Sequence, residues 1–144
     1  TLLILMQPKT LRLVSTWPHH RRIIMEYRIH VPAVKTSALT ATTVLHAIPC
    51  DRNATLKKVM IASRGGITHD GTNYSQIAIK NGSTTLAVRL FNAVSLAALT
   101  PEELTVSNGD VTASTCLKVE YDFANGGLAV DCDLVLVFET ARQF

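Results

Sequence analysis

The sequence predicts an all-β chain, an antiparallel β-sandwich with an extended arm at its N-terminus. Three observations carry this. Apolar and polar residues alternate around Ile77 and Ile79, and again through Leu86, Val88 and Leu90, the period-two pattern of half-buried strands. Asn81-Gly82 stands between those runs, and Asn-Gly supplies the two positive-φ positions that a two-residue hairpin turn prefers. Turn residues then recur at 49–53, 65–66, 70–73, 81–83, 108–110 and 125–127, punctuating the chain at short intervals.

Between those turns the expected strands are residues 27–31, 42–48, 55–63, 75–80, 84–91, 104–106, 116–123 and 133–139. Eight short strands with recurring turns fit a β-sandwich or jelly roll better than a parallel α/β sheet. Residues 93–99 form the one helix-tolerant stretch. Thr100-Pro101-Glu102-Glu103 has the look of an N-cap and first turn, but the β-prone LTVS run from Leu104 stops it. At most one helical turn is expected there.

Charge divides the chain. Residues 1–30 hold five bases (Lys9, Arg12, Arg21, Arg22 and Arg28) against one acid, Glu26, a net +4. The remainder holds nine bases and ten acids, a net −1. Pro8 and Pro18 interrupt the basic segment, the single tryptophan Trp17 lies inside it, and no glycine precedes residue 65. Residues 1–28 therefore read as an extended arm with strand-like pieces at 11–14 and 22–25, ahead of a compact domain over residues 29–144. Met25, followed by EYRIH, is also a candidate internal start for that domain.

The chain has 144 residues, 47% apolar and 17% charged. A soluble domain usually carries about 25% charged residues, so the surplus apolar surface is assigned to protein partners. No apolar run reaches the roughly 18 residues of a membrane span, and residues 2–6 are short for a signal-peptide core. Three cysteines, Cys50, Cys116 and Cys132, include no C-x-x-C pair. Free buried thiols fit best, with a single disulfide plus one free thiol as the alternative.

Enzyme motifs are missing. The sequence has no G-x-S-x-G elbow, and Gly65-Gly66 has neither the lysine nor the glycine spacing of a phosphate loop. Asp131 and Asp133 would share one face of a strand, but beside a strand start they read as turn and edge residues. His19 and His20, being adjacent, point apart on a strand, and His30, His46 and His69 are scattered. The reading is a protein with no catalytic residues, no metal and no cofactor.

The most informative constellation is WPHHRR, residues 17–22. Basic residues beside an aromatic can hold single-stranded nucleic acid or dock on an acidic protein surface, with Trp17 as anchor and arginine forks on carboxylates. Interleaved Leu, Ile and Val favour docking over nucleic acid. Arg12, Trp17, Arg21 and Arg22 are the expected partner-binding residues of the arm.

Residues 67–91, ITHDGTNYSQIAIKNGSTTLAVRLF, carry a resemblance. The D-G-T-N-Y turn, the following strand, the N-G-S-T-T-L-A turn and the next strand resemble jelly-roll domains of tailed-phage virion proteins. These include capsid decoration (cement) proteins and head-fibre or tail-associated domains. The LTVSNGDV segment at 104–111 and the Gly126-Gly127-Leu128 turn before LVLVFE are similar to later elements of that family. The shared pattern covers roughly residues 31–139; the first thirty residues lie outside it.

The resemblance implies a structural virion protein. It would bind the outer surface of a phage capsid, with the major capsid protein and its own copies, as a homotrimer, for partners. The arm would dock on adjacent subunits, and the protein would pass through the host cytoplasm during assembly. The alternative is a fibre or tail-associated glycan-binding module for host recognition, for which Tyr27, Tyr74 and Tyr121 are the aromatic platforms outside the arm.

Overall fold

A computed structural model of the chain describes the backbone of residues 7–16 and 20–143 and the side chains of residues 24–140. Among the described residues, ten strands run in chain order: β1 (Gln7–Thr16), β2 (His20–Thr36), β3 (Thr43–Pro49), β4 (Ala54–Ala62), β5 (Ser75–Asn81), β6 (Thr84–Leu90), β7 (Glu102–Leu104), β8 (Asp110–Val111), β9 (Cys116–Phe123) and β10 (Val130–Gln143). They form two antiparallel sheets, ordered β1-β2-β10-β4-β7, with β8 also on β4, and β3-β9-β5-β6. β7 pairs with Val59–Ile61 of β4 and β8 with Ala54 and Thr55, so the two share one sheet position. Numbered from β2, the eight positions then run first, eighth, third, sixth in one sheet and second, seventh, fourth, fifth in the other. That order is a jelly roll, with β1 added outside it.

Alternation places the core. Tyr27, Ile29 and Val31 of β2, Leu134, Leu136 and Phe138 of β10, and Leu56, Val59 and Ile61 of β4 face the second sheet. Ile48, Ile77, Ile79, Leu86, Leu117, Val119 and Tyr121 meet them from the other side. The step of three from Leu56 to Val59 breaks the period of two, and the β4–β10 register shifts there to absorb it. Tyr27 stacks on Phe138 with ring centroids 5.2 Å apart and planes 9° from parallel, an arrangement worth about 1 kcal/mol beyond burial.

Several expectations are corrected. The β5–β6 loop is Gly82-Ser83, closed by the Asn81–Thr84 pair, with positive φ at Gly82 and not at Asn81. Glycine first in a two-residue loop is the other hairpin solution, and it needs only one positive φ. The strand expected at 104–106 lies at Glu102–Leu104, where Leu104 pairs with Val59 and fills the core. Asp110, read as a turn residue, opens β8. Residues 93–99 hold no helix; Leu96, almost fully buried, pairs with Ile67 and Ala98 bridges Ser63. Backbone pairing with a neighbouring loop has displaced the local helical preference.

The sandwich has two unlike ends. Segments 37–42, 63–74, 91–101 and 124–129 lie at one, and segments 50–53, 82–83 and 112–115 at the other. The first end is knit together by hydrogen bonds between its loops. Tyr121 Oη accepts the N–H groups of Leu39 (3.1 Å) and Leu128 (3.2 Å) and donates to the Leu128 carbonyl (3.1 Å). Gly126 N–H donates to Asn73 Oδ1 at 3.0 Å, Asn125 Nδ2 to the Thr72 carbonyl at 2.6 Å, and His69 N–H to Ser95 Oγ at 3.0 Å. Within the 63–74 loop, the Asn73 and Thr72 N–H groups on Asp70 Oδ1 hold that carboxyl below the usual carboxylate range.

Candidate docking surfaces

The second end carries the element that the arm residues build. β4 accompanies β10 only as far as the Glu139–Thr55 pair. Past that point β10 continues along β2 to the Gln143–Arg22 pair, and β1 runs along β2 to Thr16–His20. The result is a ribbon, three-stranded as far as Arg22 and two-stranded to His20, that outruns the rest of its sheet by about 20 Å, taking six residues of β2 at the usual strand rise. Its root is fixed by Tyr27, stacked on Phe138 and capped by the Arg52 guanidinium 5.4 Å from the ring centroid. Arg52 is in turn held by both oxygens of Asp51, at 2.9 and 3.0 Å. Burial, with lesser help from Cys50, pushes the Tyr27 hydroxyl up to about 12.

The strand-like pieces at 11–14 and 22–25 lie within β1 and β2. Arg12 pairs with Ile24, Arg21 with Ser15, and Arg22 with Val14 on one side and Gln143 on the other. The register thus brings three of the four expected docking residues into one ribbon. Trp17 lies outside the described residues, as do the side chains of the three arginines. β2 runs unbroken through residue 28, so ribbon and sandwich share a strand.

The two edges of this sheet differ. At one, β7 and β8 are three and two residues long and carry Glu102, Glu103 and Asp110. Short, interrupted, charged strands are how proteins stop an edge from pairing with another chain. At the other, β1 offers ten residues, and among the described residues no strand pairs with its outer side. Pro8, Lys9 and the register shift between Pro8 and Thr10 blunt only its beginning. The segment LRLVST, residues 11–16, has the β-branched and apolar content of a strand that accepts a partner.

On the outer face of the second sheet, Val44, Glu120, Ala78 and Val88 form one cross-strand row. Val44 and Val88 are 52% and 44% exposed, whereas Glu120 is buried. Lys80 and Lys118 are cross-strand neighbours, and Glu120 separates their charges, with Lys80 Nζ at 2.7 Å and Lys118 Nζ at 2.9 Å. These hydrogen bonds, Lys80 first, depress the Glu120 carboxyl below its ordinary 4.5. Its stabilising contribution is therefore complete above about pH 4.5 and is lost as the pH falls through the lower native value. Glu120→Gln is expected to lower stability by about 1–2 kcal/mol at neutral pH. Thermal melts across pH check this: the gap between wild type and variant should close in acid, and a gap constant with pH would contradict the assignment.

The three cysteines are free, Cys50 and Cys132 buried and Cys116 exposed. Burial, more than the neighbouring Asp133 and Asp131, pushes the Cys132 thiol up to about 12, and burial raises Cys50 as well. A thiol reagent is expected to label one cysteine on the folded chain and all three once it is unfolded. Rapid labelling of Cys132 in the native state would contradict the packing described above. Asp133, half of the paired carboxylates in the sequence, accepts the Ala33 N–H at 2.8 Å and secures the positive φ of 56° at that residue. Among the described residues, no group of three or more His, Cys, Asp or Glu is placed to hold a metal ion. No described helix is long and apolar enough to cross a membrane.

No family model and no curated protein matches this chain. Its surfaces must therefore be read on their own chemistry. Sequence reasoning found the ribbon's residues through their charge but not their pairing with β10. The contrast between the two edges was also missed, because it depends on which strands lie outermost.

Proposed function

We propose that the chain is a non-enzymatic virion protein that decorates the outer surface of a phage capsid and cements neighbouring capsomers. The observation that carries this reading is the projecting ribbon, with one long open edge on a sheet whose opposite edge is blocked. An open edge recruits a strand from a partner through backbone hydrogen bonds, while alternate side chains supply specificity. The basic residues of β1 and β2 suit an acidic acceptor on the major capsid protein. The jelly-roll order and the sequence resemblance to virion domains support the same class.

In this reading the protein acts as a homotrimer, with each ribbon reaching onto an adjacent subunit. Three weak contacts on one assembly act together, because the second and third form at high effective concentration. The mature protein resides on the virion exterior after assembly in the host cytoplasm. The test is co-sedimentation of purified protein with shells built from the major capsid protein alone. Saturable binding at sites between capsomers, with a raised shell melting temperature, is expected. No association with the assembled shell would overturn the reading.

A further inference from the structure

A hollow of about 270 Å³ opens on the outer face of the second sheet, at the end with the interlocked loops. Tyr74, Gln76, Leu90, Asp122 and Phe123 line it. Its position follows from register: Gln76 stands between Leu90, the last residue of β6, and Asp122 of β9, and both Gln76 and Asp122 lie one residue inside the ends of their strands. We propose that this hollow binds a single neutral sugar ring.

The polar groups are already set for a ligand. Asp122 Oδ1 accepts Thr42 Oγ1 and the Phe123 N–H, both at 2.9 Å. The carboxylate is thereby oriented, and Oδ2 is left without a protein partner among the described residues. The Gln76 amide and the Tyr74 hydroxyl likewise make no side-chain hydrogen bond to a described residue. Tyr74 is held at the rim by its backbone, whose carbonyl accepts the Ala124 N–H at 2.8 Å. An amide donor, a fixed carboxylate acceptor, an aromatic ring and an aliphatic side chain match a pyranose, which has hydroxyls around its edge and C–H groups on its faces. A phosphate would meet the Asp122 charge, and Asp122 is the single carboxylate among the lining residues, too few to hold a metal ion. The volume lies just under the range of about 300–1,000 Å³ for drug-sized ligands, which suits one ring. Of the three tyrosines, Tyr27 and Tyr121 are buried in the core, so Tyr74 alone can serve as a platform. The hollow lies at the opposite end from the ribbon, so this site stands or falls independently of shell docking.

The test is an amide NMR titration of the full chain with glucose, galactose, N-acetylglucosamine and rhamnose, using ethanolamine and inorganic phosphate as charged controls. At least one sugar should saturate with a Kd on the order of 1 mM, moving amides of residues 74–76 and 122–124. Gln76→Ala and Tyr74→Ala should each weaken that binding by about tenfold and leave the rest of the spectrum in place. The Gln76 side chain has no described partner to lose, so its removal spares the fold. No saturable shift with any sugar would overturn the proposal, as would sugar shifts unaffected by Gln76→Ala or preferential binding of ethanolamine.

Discussion

If the ribbon docks on the shell as proposed, a chain lacking residues 1–24 is expected to fold normally and to lose shell binding. Among the described side chains the buried core begins at Tyr27, and the part of β2 inside the sandwich keeps its pairing with β10 through the Tyr27–Phe138 to Thr36–Val130 positions. Truncation removes β1 and the ribbon tip and frees only the last residues of β10. A partner strand paired along half of this ten-residue edge makes about five backbone hydrogen bonds, each worth about 0.5–1.5 kcal/mol net. Their loss should weaken shell binding by about 100-fold or more, equivalent to about 3 kcal/mol. Co-sedimentation with shells, paired with a thermal melt of the truncated chain, makes the measurement. A truncated protein that melts normally and binds shells as tightly as the full chain would sink the docking role of the ribbon.

The largest effect on stability is expected from Gly127→Ala. Gly127 has φ +72°, and a Cβ at that position would press on the Leu39 carbonyl and the Tyr121 hydroxyl. The same hydroxyl joins the 37–42 loop to the 124–129 segment through three hydrogen bonds. An alanine there both adopts a left-handed conformation and forces this junction apart. Together these should cost about 2–4 kcal/mol. Chemical denaturation would show it as a lower midpoint with little change in slope. A variant as stable as the wild type would mean that the loop junction yields freely.

How far the sequence foretold this molecule depends on what decides each feature. Strands such as β5, β6 and β9 were legible because one face is buried and the other is not, so period two is written directly in Ile77, Ile79, Leu86 and their neighbours. β8 was not, because two residues pairing with Ala54 and Thr55 leave no periodic trace, and Asp110 is equally at home in a turn. Glu102 and Glu103 looked like a helix start until β4 claimed them, a tertiary preference overriding a local one. The basic arm was visible as charge, yet its pairing along β10 depends on the final strand running on to Gln143, which no local pattern announces. The hollow proposed for a sugar was the least legible. Tyr74, Gln76, Leu90 and Asp122 come from three strands and a loop, and only the register brings them together.

The central claim is that this protein coats a capsid, and its most direct test is a count. Quantitative mass spectrometry of purified virus particles would give copies of this chain per copy of the major capsid protein. Capsid decoration predicts a simple whole-number stoichiometry across the shell, in multiples of three per site. A few copies confined to one vertex, or none at all, would contradict it.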